Sequence, residues 1–178
     1  SIKALIKGEI MATIDLIVLG MLKNESLSAY DIQKLVEYRN ISRWVKISTP
    51  SIYKKVIQLE EKGLINSVTM KEGKMPEKAV YSLTEAGERQ FEKLMMEIAG
   101  KPIHIFLDFN AVIVNLDSLP ADKQKSCLAN IEENVAKLKS YLQENILAKE
   151  NVPEIPETGM AVLHQKLILA QAIETWIT

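Results

Sequence analysis

The order of segments between residues 28 and 87 limits the possible folds of this chain more than any other feature. Ser28 is a good N-cap for the helix AYDIQKLVEY, whose apolar residues recur at the spacing of one helix face. A second helix is predicted in STPSIYKKVIQLEEKG, and Gly63 ends it. Two β-prone runs then flank the turn KEGKMPEK, and Thr84 caps a third helix. This order is typical of a winged helix-turn-helix, a module that reads DNA.

The second helix is the predicted DNA-reading helix. Its cap is Ser48 or Thr49, and Pro50 fits its first turn, where the missing N–H is harmless. The apolar residues Ile52, Val56 and Leu59 predict a buried stripe, and the short or basic side chains between them are expected to face outward, as a groove-reading face requires. These outward-facing residues are Ser51, Lys54, Lys55 and Gln58.

The charge distribution favours a nucleic-acid partner although the net charge is only −1. Between residues 41 and 80, eight Lys or Arg stand against four Glu, a balance of +4, whereas seven Lys and ten acidic residues give −3 from residue 100 onward. Basic residues thus gather where the reading helix and wing are predicted, as phosphate binding needs. The alternative is an ordinary solvated surface. Lys71, Lys74 and Lys78 on the wing are predicted to contact phosphates or the minor groove, or else to be solubilising charges.

Three segments, AYDIQKLVE, PSIYKKVIQLEEKGLI and AVYSLTEAG, resemble the signature blocks of the PadR family of transcriptional repressors. With the first helix they span about 90 residues. The chain has Ala29-Tyr30 where the family usually has Gly-Tyr, and Lys54 where it commonly has Pro. The resemblance implies that Tyr30 and Tyr53 contact the DNA backbone or support the reading helix; core packing is the alternative for both. The predicted DNA-binding residues are therefore Tyr30, Thr49, Ser51, Tyr53, Lys54, Lys55, Gln58, Lys71, Lys74 and Lys78.

The expected fold is mainly α, with a winged helix-turn-helix domain and a separate helical region. A first helix from about Ala4 to Leu22 completes the core of a domain over residues 1–100, which carries a two-stranded wing. Gly100-Lys101-Pro102 stops helices and is the predicted boundary. In the region 101–178, IHIFLDFNAVIVNL is apolar enough for a strand or a buried helix, and the spacing of its apolar residues favours helix.

The helical region is predicted to form a homodimer. Leu128 begins a series of apolar residues at steps of 3, 4, 3 and 4, and such a seam needs a partner helix. The last helix, Met160 to Ile177, is apolar on more than one side. The alternative is that these helices pack on the first domain. The predicted dimerisation residues are Leu128, Ile131, Val135, Leu138, Leu142, Leu163, Leu167 and Ala170.

Catalysis and metal binding find little support in the sequence. His104 and His164 belong to no metal-binding pair, and Cys127 has no visible base beside it, so no enzyme, metal or cofactor is predicted. Relatives in the resembled family commonly respond to small aromatic or drug-like molecules. The aromatic residues that could line such an effector pocket, with core packing as the alternative, are Trp44, Phe106, Phe109, Tyr141 and Trp176.

Together these features predict a cytoplasmic homodimeric transcriptional regulator. No apolar run is long enough for a membrane helix, no secretory signal is visible, and a single cysteine permits no internal disulfide. We expect a repressor, rather than an activator, that binds an inverted-repeat operator and is released by an effector. The rival hypothesis is a winged helix used for protein contacts without DNA.

Overall fold

The computed structural model describes the backbone of residues 2–45, 51–71, 73 and 76–178, and the side chains of those from residue 12 onward except Ser51. The chain forms two compact units, Ser1–Ile103 and His104–Thr178, which are described separately. No helix in the described part of the chain is long and apolar enough to cross a membrane.

The described residues of the first unit form four α-helices and a small sheet. A 3-10 turn at Ile41–Arg43 lies between the second and the third of these four helices in chain order. The elements in chain order are α1 (Ile2–Asn24), β1 (Leu27–Ser28), α2 (Ala29–Tyr38), α3 (Ser51–Glu61), β2 (Ile65–Met70), β3 (Lys78–Leu83) and α4 (Glu85–Ala99). The predicted helices and both predicted strands are present. The predicted cap of α3, Ser48 or Thr49, and its predicted first-turn residue Pro50 lie outside the described residues.

The wing belongs to a three-stranded antiparallel sheet in the order β1-β3-β2, not to a two-stranded one as expected. Strands β2 and β3 pair from Ile65 opposite Leu83 to Met70 opposite Lys78, and the added strand β1 places Leu27 opposite Tyr81. Two residues are too few to show an alternating pattern in the sequence, which is why β1 was not predicted. Leu27 and Tyr81 are both buried, so this third strand joins the wing to the core.

Side-chain caps set the starts of α2 and α4. The Ser28 hydroxyl accepts a hydrogen bond from the Asp31 backbone N–H at 3.1 Å, and the Asp31 carboxylate accepts one from the Ser28 N–H at 3.2 Å. The hydrogen bond from the Ser28 hydroxyl holds the pKa of Asp31 below its usual value. Thr84 caps α4 by accepting from the Gly87 N–H at 3.0 Å. The predicted caps Ser28 and Thr84 are confirmed.

The core of the first unit lies where α1, α2 and α3 meet the sheet. The predicted stripe of α3, Ile52, Val56 and Leu59, is fully buried. It packs in one cluster with Val18 and Leu19 of α1 and with apolar residues of α2 and the sheet. Gly63 has φ +69°, a conformation that favours glycine, and it ends α3 as predicted.

The second unit is built from two long helices after a short irregular segment. It contains a single helical turn, α5 (Asn110–Ile113), a 3-10 turn (Leu116–Ser118), α6 (Ala121–Lys149) and α7 (Glu157–Ile177). The helix predicted through IHIFLDFNAVIVNL is therefore largely wrong. None of the residues of α5 is buried, and an apolar face stabilises a helix only when another element covers it.

Helices α6 and α7 pack against each other as an antiparallel pair. The Lys139 ammonium of α6 donates to both carboxylate oxygens of Glu174 on α7, at 2.6 and 2.7 Å. The partner of the predicted seam is thus α7 of the same chain. Ile131, Val135 and Leu142 on α6, and Ala170 on α7, are already buried within one chain, and their role as dimer contacts stays a prediction. Leu128, Leu163 and Leu167 are half-buried, and Leu138 is 47% exposed.

Candidate nucleic-acid interface

The solvent face of α3 is the clearest candidate for a binding surface. Tyr53 is 44% exposed and Ile57 is 54% exposed, and Lys54 lies beside them with its side chain also exposed. Gln58 is half-buried. The opposite face of the same helix is the core stripe, so α3 is held firmly while this side is open. Residues Thr49 and Lys74, and the side chain of Ser51, lie outside the described residues.

The outward orientation predicted for Lys55 is wrong. Its side chain is buried, with the residue only 3% exposed, and its Nζ lies 2.6 Å from Oδ1 of Asp15 on α1. Among the described residues, neither of these two atoms has a further hydrogen-bond partner. The ion pair therefore joins α3 to α1 inside the core. In this structure Lys55 does not belong to the open face.

The sequence contained a signal for this ion pair. Lys55 follows Ile52 by three residues and precedes Leu59 by four, which places it on the buried stripe of α3. Asp15 interrupts the apolar segment MATIDLIVLGML of α1 in the same way. Two opposite charges, each within an apolar stripe, predict a buried pair because an unpaired charge in a core is costly.

Helix α2 presents a second polar surface through Tyr30 and Lys34. The Tyr30 ring is more than half exposed, and the Lys34 ammonium lies 5.1 Å from its centroid, a cation–π geometry. Its hydrogen bond with the Tyr30 side chain raises the pKa of Lys34. Tyr30 and Tyr53 are both exposed, so neither has the core-packing role that was the alternative to DNA contact.

The wing is fixed relative to α3 and carries lysines. The Glu60 carboxylate near the end of α3 accepts from the Ser67 N–H at 3.0 Å and from the Ser67 hydroxyl at 2.6 Å on β2. Lys71 and Lys78 are exposed towards the wing tip, where Gly73 has φ +59°. These hydrogen bonds join the end of α3 to strand β2 of the wing.

Of the five aromatic residues predicted for an effector pocket, one lies in the first unit and four lie in the second. Trp44 belongs to the first unit, where its indole N–H donates to the Arg39 carbonyl at 3.3 Å. In the second unit Phe109 stacks on Trp176 with ring centroids 5.9 Å apart, and the exposed Phe106 stacks on His104. Tyr141 is half-buried on α6. Among the described residues no group of three or more His, Cys, Asp or Glu could hold a metal ion.

Residues 18–93, from the second half of α1 into α4, match the family described as the transcriptional regulator PadR-like family. The winged-helix part of the chain is therefore PadR-like. The match covers the capped helix α2, the candidate reading helix α3, both long strands of the wing and the start of α4. The resemblance drawn from the three sequence segments is confirmed. No curated protein matches the chain.

Solved structures share the PadR-like fold over nearly the whole chain. Bacillus subtilis PadR in complex with operator DNA is 20% identical with a TM-score of 0.78, covering 93% of this chain and 95% of that one. The same protein with p-coumaric acid is 21% identical with a TM-score of 0.77, covering 92% and 94%. The Vibrio cholerae virulence activator AphA is 21% identical with a TM-score of 0.64, covering 92% and 95%. At these identities the likeness shows a common fold, and the predicted fold class is confirmed.

Proposed function

We propose that this PadR-like chain is a cytoplasmic homodimeric transcriptional regulator, not an enzyme, that represses from an inverted-repeat operator and is released by a small-molecule effector. The observation that carries the proposal is the two-sided environment of α3. One side of the helix is fully buried, and the other presents Tyr53 and Lys54 to solvent. Such a helix can enter a major groove without distorting the domain, because its orientation is set by the core.

The contacts proposed for DNA combine phosphate binding with base reading. Lys54 binds phosphate or guanine, Gln58 hydrogen-bonds bases, and the two tyrosines bind the backbone. The lysines of the wing bind phosphates next to the reading helix. Lys55 is not a proposed DNA contact, because its side chain is buried. The proposed contact residues are Tyr30, Thr49, Ser51, Tyr53, Lys54, Gln58, Lys71, Lys74 and Lys78.

Exposed apolar side chains in the second unit support the proposed homodimer. After α6 and α7 have packed against each other, several large apolar residues still face solvent, including Leu138, Leu147, Ile168, Leu169 and Trp176. Covering them with a second copy would place two reading helices on one duplex. A two-fold symmetric dimer matches an inverted repeat whose half-sites lie roughly 34 Å apart.

Two arguments support effector control: a ligand complex of a structural relative, and the general rule that ligand binding shifts a conformational equilibrium. Bacillus subtilis PadR has been solved both with operator DNA and with p-coumaric acid. A ligand that binds two dimer geometries with unequal affinity shifts the protein towards the one it prefers. The proposed effector is a small aromatic molecule, and the stacked pair Phe109 and Trp176 is the aromatic surface proposed to contact it. Activation instead of repression is the second candidate, because the relative AphA is a virulence activator.

The proposed function is tested by selecting bound fragments from the source genome and measuring their affinity at several salt concentrations. A dimer that contacts about 6–10 phosphates loses roughly 10³–10⁵-fold in affinity between 50 and 200 mM salt. A winged helix used only for protein contacts binds no fragment even at low salt, which would refute the proposal. A reporter placed behind the selected operator then distinguishes repression from activation.

Replacing Lys54 with alanine is expected to weaken operator binding about tenfold at physiological salt. Because each subunit would lose one phosphate or base contact, the slope of log affinity against log salt should become shallower by about 2 for the dimer. Lys125→Ala, an exposed lysine of α6, is the matched control and should leave the affinity unchanged. Fluorescence anisotropy titrations measure both quantities. Equal affinity of wild type and Lys54→Ala would remove Lys54 from the interface.

Replacing Leu138 with aspartate is expected to raise the dissociation constant of the dimer at least about tenfold without unfolding α6. Leu138 is 47% exposed in one chain, so its proposed partner surface lies on a second copy, where a carboxylate would be buried unpaired. Sedimentation velocity over a range of concentrations measures the change. Ala136→Asp, also exposed on α6, is the control. An undisturbed dimer in Leu138→Asp would place the interface elsewhere.

A further inference from the structure

Ile57 is an apolar side chain in the middle of the otherwise polar face that α3 presents to solvent. It is 54% exposed, and the structure gives it no place in the core cluster of the first unit. It follows Lys54 by three residues and Tyr53 by four, so all three lie on one side of the helix within about one turn. If Lys54 contacts DNA, Ile57 on the same face of α3 also lies close to the DNA.

We infer that Ile57 reads a thymine in each half-site by contact between its side chain and the thymine C5-methyl group. This inference rests on the proposed DNA-binding function. The thymine methyl is the largest apolar group that base pairs present in the major groove, where the other groups used for recognition are hydrogen-bond donors and acceptors. Isoleucine has no donor or acceptor, so a base donor or acceptor placed against it would lose its water partner without gaining another.

The geometry of Ile57 suits such a contact. A β-branched side chain in a helix has one strongly preferred χ1 rotamer, so little side-chain freedom is lost when it meets a methyl group. The backbone beneath it is also fixed, because Val56 and Leu59 on either side are fully buried. A rigid apolar surface at a set distance from Lys54 therefore adds selectivity for thymine to the affinity that lysine supplies.

The expected size of the effect follows from burying one methyl group. A buried carbon of this kind contributes about 0.8 kcal/mol, which is about fourfold in affinity at one half-site. Two symmetric half-sites double this free energy and give roughly fifteenfold. Replacing thymine with deoxyuridine removes only the methyl group and keeps every hydrogen-bonding atom of the base.

The test uses the selected operator with deoxyuridine placed symmetrically, one thymine position at a time, and measures binding to the full-length protein. For wild type, one symmetric pair of positions is expected to lose roughly fifteenfold in affinity. Ile57→Ala should bind the thymine and deoxyuridine operators at that pair equally well. Ile57→Val, which keeps a branched apolar side chain, should retain most of the discrimination.

Controls separate failure of this inference from failure of DNA binding itself. Val68→Ala removes an exposed apolar side chain from β2 and should leave the discrimination intact, as should Lys54→Ala at lower overall affinity. If wild type binds the operator but no thymine methyl matters, or if Ile57→Ala keeps the discrimination, the contact is overturned while the proposed function stands. If the wild-type protein binds no operator, the thymine contact and the proposed DNA-binding function are both refuted. Circular dichroism establishes that each variant is folded.

Discussion

Replacing Gly87 with alanine is expected to destabilise the first unit by about 3 kcal/mol or more, the upper end of what overpacking a core costs. A Cβ at this position would lie 2.0 Å from the Leu64 carbonyl oxygen and 2.7 Å from Cδ1 of Leu83. The Leu64 backbone cannot move aside cheaply, because its carbonyl accepts hydrogen bonds from the Thr84 N–H at 3.1 Å and from the Thr84 hydroxyl at 3.0 Å. The first turn of α4 therefore lies directly against the segment that leaves α3.

Urea unfolding of Gly87→Ala measures this loss, and the two tryptophans allow the units to be followed separately. Trp44 belongs to the first unit and Trp176 to the second, so a variant with one tryptophan replaced by phenylalanine reports on one unit. Gly159→Ala is the matched control: its Cβ would meet nothing nearer than 3.7 Å at the start of α7. That variant should be unchanged or slightly more stable. A Gly87→Ala protein as stable as wild type would contradict the packing described for α4.

Replacing Asp15 with leucine is expected to cost about 3–5 kcal/mol, because it leaves the buried Lys55 ammonium without its partner. Lys55→Met should cost a similar amount by isolating the Asp15 carboxylate. The double variant Asp15→Leu with Lys55→Met removes both charges and should recover most of the stability, since apolar residues of similar volume often replace a buried ion pair without loss. The expected pattern is therefore strong coupling between the two sites.

Denaturant unfolding of the two single variants and the double variant gives the coupling free energy. Glu133→Ala breaks an exposed pair with Lys137 on α6 and should cost less than about 1 kcal/mol. Operator affinity provides an independent measurement: the folded double variant should bind as wild type does, because Lys55 does not reach the open face. If a stable double variant lost operator affinity, Lys55 would have to be a DNA contact after all. Single variants as stable as wild type would show that the pair lies in water.

Local signals in the sequence were sufficient for most of the first unit. Ser28 and Thr84 have the side chains that cap helices, and Gly63 tolerates the φ that ends α3, so these boundaries followed from local chemistry. Strand β1 has no sequence signal because two residues carry no periodicity. The apolar spacing before α6 predicts a long helix, but only the short α5 forms there. Spacing shows which residues could share a face, not whether another element covers that face.

The sequence by itself indicated a PadR-like winged helix, a buried stripe of Ile52, Val56 and Leu59 on α3, and an apolar seam on α6. Only the tertiary structure decided what covers each face: Asp15 of α1 takes Lys55 into the core, and α7 of the same chain covers much of the seam. The physical reason is that spacing along a helix fixes which side chains share a face. Burial depends on contacts with residues distant in sequence, such as the 40 positions that separate Asp15 from Lys55.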